Sequence, residues 1–317
     1  MRSISFLAFS SLLLSGLLSS IPAHAETIEN TSLSPKKRYL IIHADDAGMS
    51  HSVNMATRAC LESGIVSSAS IMVPTPWFGE FADYAKKNPQ YDYGVHLTLN
   101  SEWQHYRWGP VAPREKVPSL IDADGYLWDN VKQVAKHAKA DEVTIELKAQ
   151  INRAKKFGIP VSHLDTHMGA LLSRPDLVQV YIKLGLEYTL PVLFLRDIPP
   201  PFIEKYPGLA GGTEEIVKTL DQHNLPLLNS VLQFYGGETL QQRKQNYYHA
   251  LRKMKPGVGQ LIIHCGYDNE ELRAITSSAS RRNDDRLIFT SPETAAFLEQ
   301  QNIQLLNWQQ FRAMHKP

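Results

Sequence analysis

The chain alternates short apolar runs with amphipathic stretches, and several of the apolar runs end in ionisable residues. Residues 39–44 (YLIIHA) are apolar almost throughout and are followed at once by Asp45 and Asp46. A continuous apolar run of strand length has both faces covered, which places it in a parallel sheet between helices. Strands are expected at 39–44, 66–73, 93–99, 161–165, 192–195, 227–234, 259–264 and 303–306. Helices are expected at 52–63, 77–87, 141–157, 175–185, 213–223, 240–254 and 292–301. In the clearest of these Val143, Leu147, Ile151 and Ala154 share one face, and Gly158 offers a left-handed C-terminal cap. The result is an α/β fold with a mostly parallel sheet, closed as a barrel or open. Residues 100–129 form a long irregular stretch of the kind that often serves as a functional lid.

The N-terminus stands apart from this pattern. Arg2, the apolar run 6–18 and Ala23-His24-Ala25 have the layout of a secretory signal peptide over residues 1–25. Residues 26–37 read as a flexible mature terminus, and residues 38–317 as the folded domain. The expected location is therefore periplasmic or extracellular. No later run approaches the roughly 20 apolar residues of a spanning helix, so stable membrane insertion is not expected. Lys and Arg total 33 against 32 Asp and Glu, which gives no whole-chain field for nucleic acid. A neutral or carbohydrate partner fits better, and oligomeric state is not legible. The two cysteines, Cys60 and Cys265, exclude a disulfide framework and a Cys-based zinc cluster. Both lie in core-like segments and read as buried free thiols, although an oxidising compartment would permit one bridge.

The candidate chemistry gathers at strand ends, where parallel α/β folds build their active face. Asp45 and Asp46 follow the first strand, and His96 lies in the third. His163, Asp165 and His167 surround the end of the fourth, spaced to share one face of a strand, and His264 closes a late one. Adjacent buried carboxylates repel, and a divalent cation is an economical partner. The competing reading of Asp45 and Asp46 is a turn that caps the helix starting near Ser50. An Asp and two His from separate strands would suit zinc, or magnesium and manganese less tightly. His264 could protonate a leaving group, whereas His43 reads as a packing residue. No G-x-S-x-G elbow is present, which argues against a serine esterase, and Gly211-Gly212 lacks a phosphate-loop lysine.

Five segments, taken in order, resemble the YdjC-like carbohydrate deacetylases, which include chitooligosaccharide deacetylases. They are ADDAGMS at 44–50, GIVSS at 64–68, GVHLTL at 94–99, HLDTH at 163–167 and IHCGY at 263–267. The resemblance implies a single distorted (β/α) barrel that removes N-acetyl groups from an amino-sugar oligosaccharide or polysaccharide with a divalent metal, Mg2+ or Zn2+. By position it implies Asp46, His96 and His167 as metal ligands, Asp45 as general base and His264 as acid. It also implies Arg281 or Arg282 to contact substrate or orient a carboxylate; apart from the resemblance, His163, Asp165 and the loop aromatics Trp103 and Trp108 are weaker substrate candidates. The chain departs from the family at His43 (usually Asn), Ala47 (usually Phe), Met168 to Leu171 (usually a histidine-rich continuation) and Cys265 (usually Pro). Alternatives on the same residues are a metal-dependent O-acetyl esterase or other carbohydrate hydrolase, and a non-catalytic envelope carbohydrate-binding protein.

Overall fold

The computed structural model describes residues 33–315. The expected signal peptide, 1–25, and residues 26–32 of the expected mature terminus lie outside the described residues. Seven strands run β1 Arg38–Ala47, β2 Ser68–Ile71, β3 Tyr93–Leu97, β4 Val161–Thr166, β5 Ser230–Gln233, β6 Gly257–Ile263 and β7 Ile303–Leu305. All their pairings are parallel, in the order β4-β3-β2-β1-β6-β5. The amino-terminal half of β1 also pairs β7, below the point where β2 joins. Single parallel bridges, Leu164 with Val192 and Leu195 with Leu228, carry the sheet from β4 through residues 192–195 to the start of β5. The ring therefore closes as a distorted α/β barrel: single bridges stand at 192–195, where the sequence favoured a full strand, and the register also shifts between Ala44 and Ala47 on β1 and between Tyr93 and Gly94 on β3.

Strand alternation divides the side chains between two surroundings. On β1, Leu40, Ile42 and Ala44 pack into the large core under the surrounding helices. Tyr39 and Ile41 instead join Leu195, Leu228, Val258, Leu306, Trp308 and Phe311 in a second, smaller cluster. The short helix Trp308–Met314 supplies two members of that cluster. It starts on an Asn307 capping box, in which Asn307 and Gln310 satisfy each other's backbone N–H groups.

Three helices absent from the sequence expectation bear on the architecture: Trp308–Met314, Glu270–Ile275 and Ala279–Phe289. In Ala279–Phe289 the buried residues include Arg282 and Asp285 beside Ala279, Ile288 and Phe289. Two charges on the buried face erase the apolar periodicity by which a helix is read. The irregular stretch 100–129 is held down rather than loose. Glu146 accepts from the backbone N–H groups of Val111 (2.9 Å) and Ala112 (2.8 Å), and Arg107 pairs with Asp122 at 2.8 Å. Among the described residues no helix is long and apolar enough to cross a membrane.

Candidate active site

At its end β1 leaves the extended conformation, and Asp46 takes φ = 68°, in the left-handed region that Asp tolerates better than most residues. The two aspartates are not helix caps: Ser50 caps the helix His51–Glu62 by accepting from the Val53 N–H. Instead Asp45 and Asp46 both project into a cavity of about 640 Å³, which His96, Glu102, Trp103, Asp165, His167, His264 and Arg282 also line.

Asp46 is the point of convergence. Its Oδ1 lies 3.5 Å from His96 Nε2 and 3.3 Å from His167 Nδ1, while its Oδ2 accepts from Arg282 Nη2 at 2.6 Å. Oδ1 is buried and has no well-formed hydrogen bond among the described residues. An ion about 2.0–2.2 Å from three donors would hold those donors roughly 2.9–3.6 Å apart. Both measured separations from Oδ1 fall in that interval, and one donor atom from each of Asp46, His96 and His167 lies within 4.8 Å of the others. The residues present therefore fit a divalent cation.

The remaining ring nitrogens are committed elsewhere. His96 Nδ1 faces Asp165 Oδ1 at 2.7 Å and Ser70 Oγ at 3.1 Å, which leaves Nε2 toward Asp46. His167 Nε2 faces both oxygens of Glu102, at 3.0 and 3.1 Å, which leaves Nδ1 toward Asp46. A carboxylate behind a ligating imidazole fixes its tautomer and raises its basicity. The sequence reading missed Glu102, which sits in the irregular stretch with no periodicity to announce it.

His43 requires a correction. It is fully buried, as a packing residue would be, but it points to the same side as Asp45. Its Nε2 lies 3.0 Å from Asp165 Oδ2 and 3.2 Å from Asp45 Oδ1, and its Nδ1 lies 2.9 Å from Ser68 Oγ. The parity of positions 43 and 45 on one strand was the available signal. His264 Nε2 is 3.9 Å from Asp45 Oδ2, and its backbone N–H donates to Asp285 at 3.1 Å.

These contacts set the charges. Burial pushes the Asp46 carboxyl up, but the Arg282 guanidinium and the His167 and His96 rings outweigh it and hold Asp46 well below the usual range. Burial likewise opposes ionisation of Asp165, yet His96 and His43 bring it down. Burial lowers His43, His96 and His167, and in each case the surrounding carboxylates more than reverse it. His43 and His167 are raised to about 9, and His96 well above its ordinary value. For His264 burial prevails and its pKa is lowered.

Three of the weaker substrate candidates are committed elsewhere. His163 is fully buried, does not line the cavity, and stacks on Trp308 with ring centroids 5.1 Å apart. It fits only because position 94 is glycine: a Cβ there would lie 2.3 Å from His163 Nε2. Nor do positions 163 and 167 share a strand face, because β4 ends at Thr166 and His167 opens a tight turn with Met168 at φ = 52°. Asp165 reaches the cavity wall, but its oxygens are taken by His96 and His43. Trp108 is buried behind Trp103, edge to face at 5.4 Å, so Trp103 alone of the pair faces the cavity. Arg282 lines the cavity and orients a carboxylate, that of Asp46.

A profile of the YdjC-like protein family matches residues 39–300, which spans β1 to the last turn before β7. The chain belongs to the YdjC-like family. It is 29% identical over 271 residues to a carbohydrate deacetylase of Thermoanaerobacter pseudethanolicus, covering 86% of this chain and 98% of that one. It is 35% identical over 255 residues to a carbohydrate deacetylase of Thermus thermophilus, covering 78% and 85%. A crystal structure of an Enterococcus faecalis protein named for cellobiose-phosphate cleavage matches with a TM-score of 0.71 at 25% identity, covering 86% of this chain and 98% of that one. Within the YdjC-like family match lie all of Asp45, Asp46, His96, His167 and His264.

Proposed function

We propose that this chain is a divalent-metal-dependent deacetylase acting on an acetylated amino sugar outside the cytoplasm. The observation that carries the reading is the buried, unbonded Asp46 Oδ1 facing His96 and His167, with Asp45 next to it. Asp46, His96 and His167 would hold the cation. When bound, it supplies Lewis acidity, which acidifies water and polarises a carbonyl.

The chain's own residues divide the proton work. Asp45 is the general base for the attacking water, and His43 Nε2, 3.2 Å from its Oδ1, holds the carboxylate in place. His264 is neutral at pH 7 because burial lowers its pKa, so it begins as a proton acceptor. Lying 3.9 Å from Asp45 Oδ2, it takes up the proton that Asp45 removes and returns it to the departing amine. Arg282 holds Asp46 ionised and fixed. Trp103, Phe202, Tyr206 and Tyr235 give the cavity aromatic faces of the kind that pack against sugar rings.

The test is acetate release by the purified mature protein from N-acetylated oligosaccharides and matched O-acetyl esters, with and without chelator. Loss of amide hydrolysis on chelation and its return with Zn2+ or Mg2+ is the expected result. Undiminished activity in metal-free protein would remove the metal from the mechanism, and a strong preference for esters would reassign the bond that is cleaved.

A further inference from the structure

Cys60 lies in the helix His51–Glu62, and Cys265 directly follows β6 and His264. They are 205 positions apart in sequence, both are fully buried, and their sulfurs lie 3.1 Å from each other. Non-bonded heavy atoms rest about 3.5–4.0 Å apart, and a disulfide needs about 2.05 Å, so roughly 1 Å of approach separates the thiols from a bond. We propose that Cys60 and Cys265 are a disulfide modification site, closed by a disulfide-carrying oxidant while the chain folds. The bridge ties the helix that follows the Asp45–Asp46 turn to the strand end that carries His264.

The surroundings say when the bond forms. In the folded chain neither sulfur reaches solvent, and the contact with Cys60 together with burial raises the Cys265 thiol well above its ordinary value. A buried, protonated thiol is a poor partner in exchange, which needs an accessible thiolate. Oxidation therefore precedes burial. As the chain folds, one thiolate attacks the oxidant's disulfide, the other resolves the mixed disulfide, and two electrons and two protons leave with the oxidant as two thiols. Other contacts already draw the two segments together: the Tyr267 N–H donates to Ser52 O, and the Ser52 hydroxyl donates to Asn269 Oδ1 at 2.8 Å. The bridge adds a covalent link across a loop of about 200 residues, a length at which cross-linking constrains the unfolded chain strongly. The proposal does not depend on the deacetylase reading, because its readouts are chemical and thermal.

The experiment refolds the full chain from denaturant in glutathione buffer, either mixed oxidised and reduced or reduced only, then alkylates it in denaturant without reductant and maps the peptides. In the mixed buffer the peptides carrying Cys60 and Cys265 should appear as one species, two hydrogens lighter than their sum. That chain should melt on the order of 5–10 °C above the reduced one, and a Cys60→Ser/Cys265→Ser double variant should melt alike in both buffers. Alkylation of both cysteines after refolding in the mixed buffer would overturn the proposal. Rapid oxidation of the already folded, reduced chain by oxidised glutathione would overturn the claim that the bond precedes burial.

Discussion

The two ends of the barrel interior are built from the same strands and obey different physics. Along β1 one side of the strand carries Tyr39, Ile41, His43 and Asp45 in turn. At the amino end Tyr39 and Ile41 meet Val258, Trp308 and Phe311 in a dry cluster, where each large side chain contributes roughly 1.5–3 kcal/mol by leaving water. At the carboxyl end Asp45, Asp46 and Asp165 are buried at a desolvation cost that Arg282, His43, His96 and His167 offset by charge. Four residues of one strand thus pass from a region that stabilises the fold to one that consumes stability for chemistry. His43 stands at the border, with His163 and Trp308 beneath it and the carboxylates above.

The comparison is tested most severely by removing one side chain from each end. Asp45→Asn should lower kcat/KM for acetate release about 10²–10⁴-fold while leaving the urea midpoint nearly unchanged. A large loss of stability with retained activity would erase the distinction. Trp308→Ala, at the other end, should cost about 3–5 kcal/mol in urea unfolding, with kcat per folded molecule little altered. Glu102→Gln, which keeps the shape behind His167 and removes the charge, should weaken metal binding about 10–100-fold in a competition titration against a chromogenic chelator, with small change in Tm.

The smallest effect expected is a pH dependence confined to the carboxyl end. With no metal bound, His167 is raised to about 9 and is protonated at pH 7, so a cation must displace its proton. Metal affinity should therefore rise with pH up to about 9, and titration calorimetry in buffers of different ionisation enthalpy should register proton release. The metal-free fold should respond in the opposite sense through His43. A folded pKa of about 9 above an unfolded value near 6.5 contributes stability that is fully present below pH 6.5 and lost as pH rises through about 9.

How far the sequence could be read follows the same division. The parallel α/β order and most strands were legible because runs such as 39–44 and 259–264 are apolar on both faces, which only a covered sheet allows. Asp45, Asp46, His96, His167 and His264 stood out because each interrupts or ends such a run, and the structure brings all five to one cavity. Glu102 was hidden in an irregular stretch. Asp285, which holds the His264 backbone, was hidden in a helix whose buried face carries charges where apolar residues were sought. His163 misled because strand spacing shows which side of a sheet a residue faces but not its depth along the barrel axis. Two strand residues below the cavity floor, a histidine stacks on tryptophan and touches no ligand.

The closure at residues 192–195 has a mechanical consequence. Elsewhere neighbouring strands pair over several residues, but here the wall is joined by the Leu193 and Leu164 N–H groups on one side and the Arg196 and Leu228 N–H groups on the other. The barrel is a hoop with a splice. A load pressing outward from the cavity is carried stiffly by the ladders and yields first at the splice, where Leu193 faces the interior. The girth available there is then governed by side-chain packing, with Phe202 and Val231 set against the same small cluster as Leu193, more than by backbone bonding.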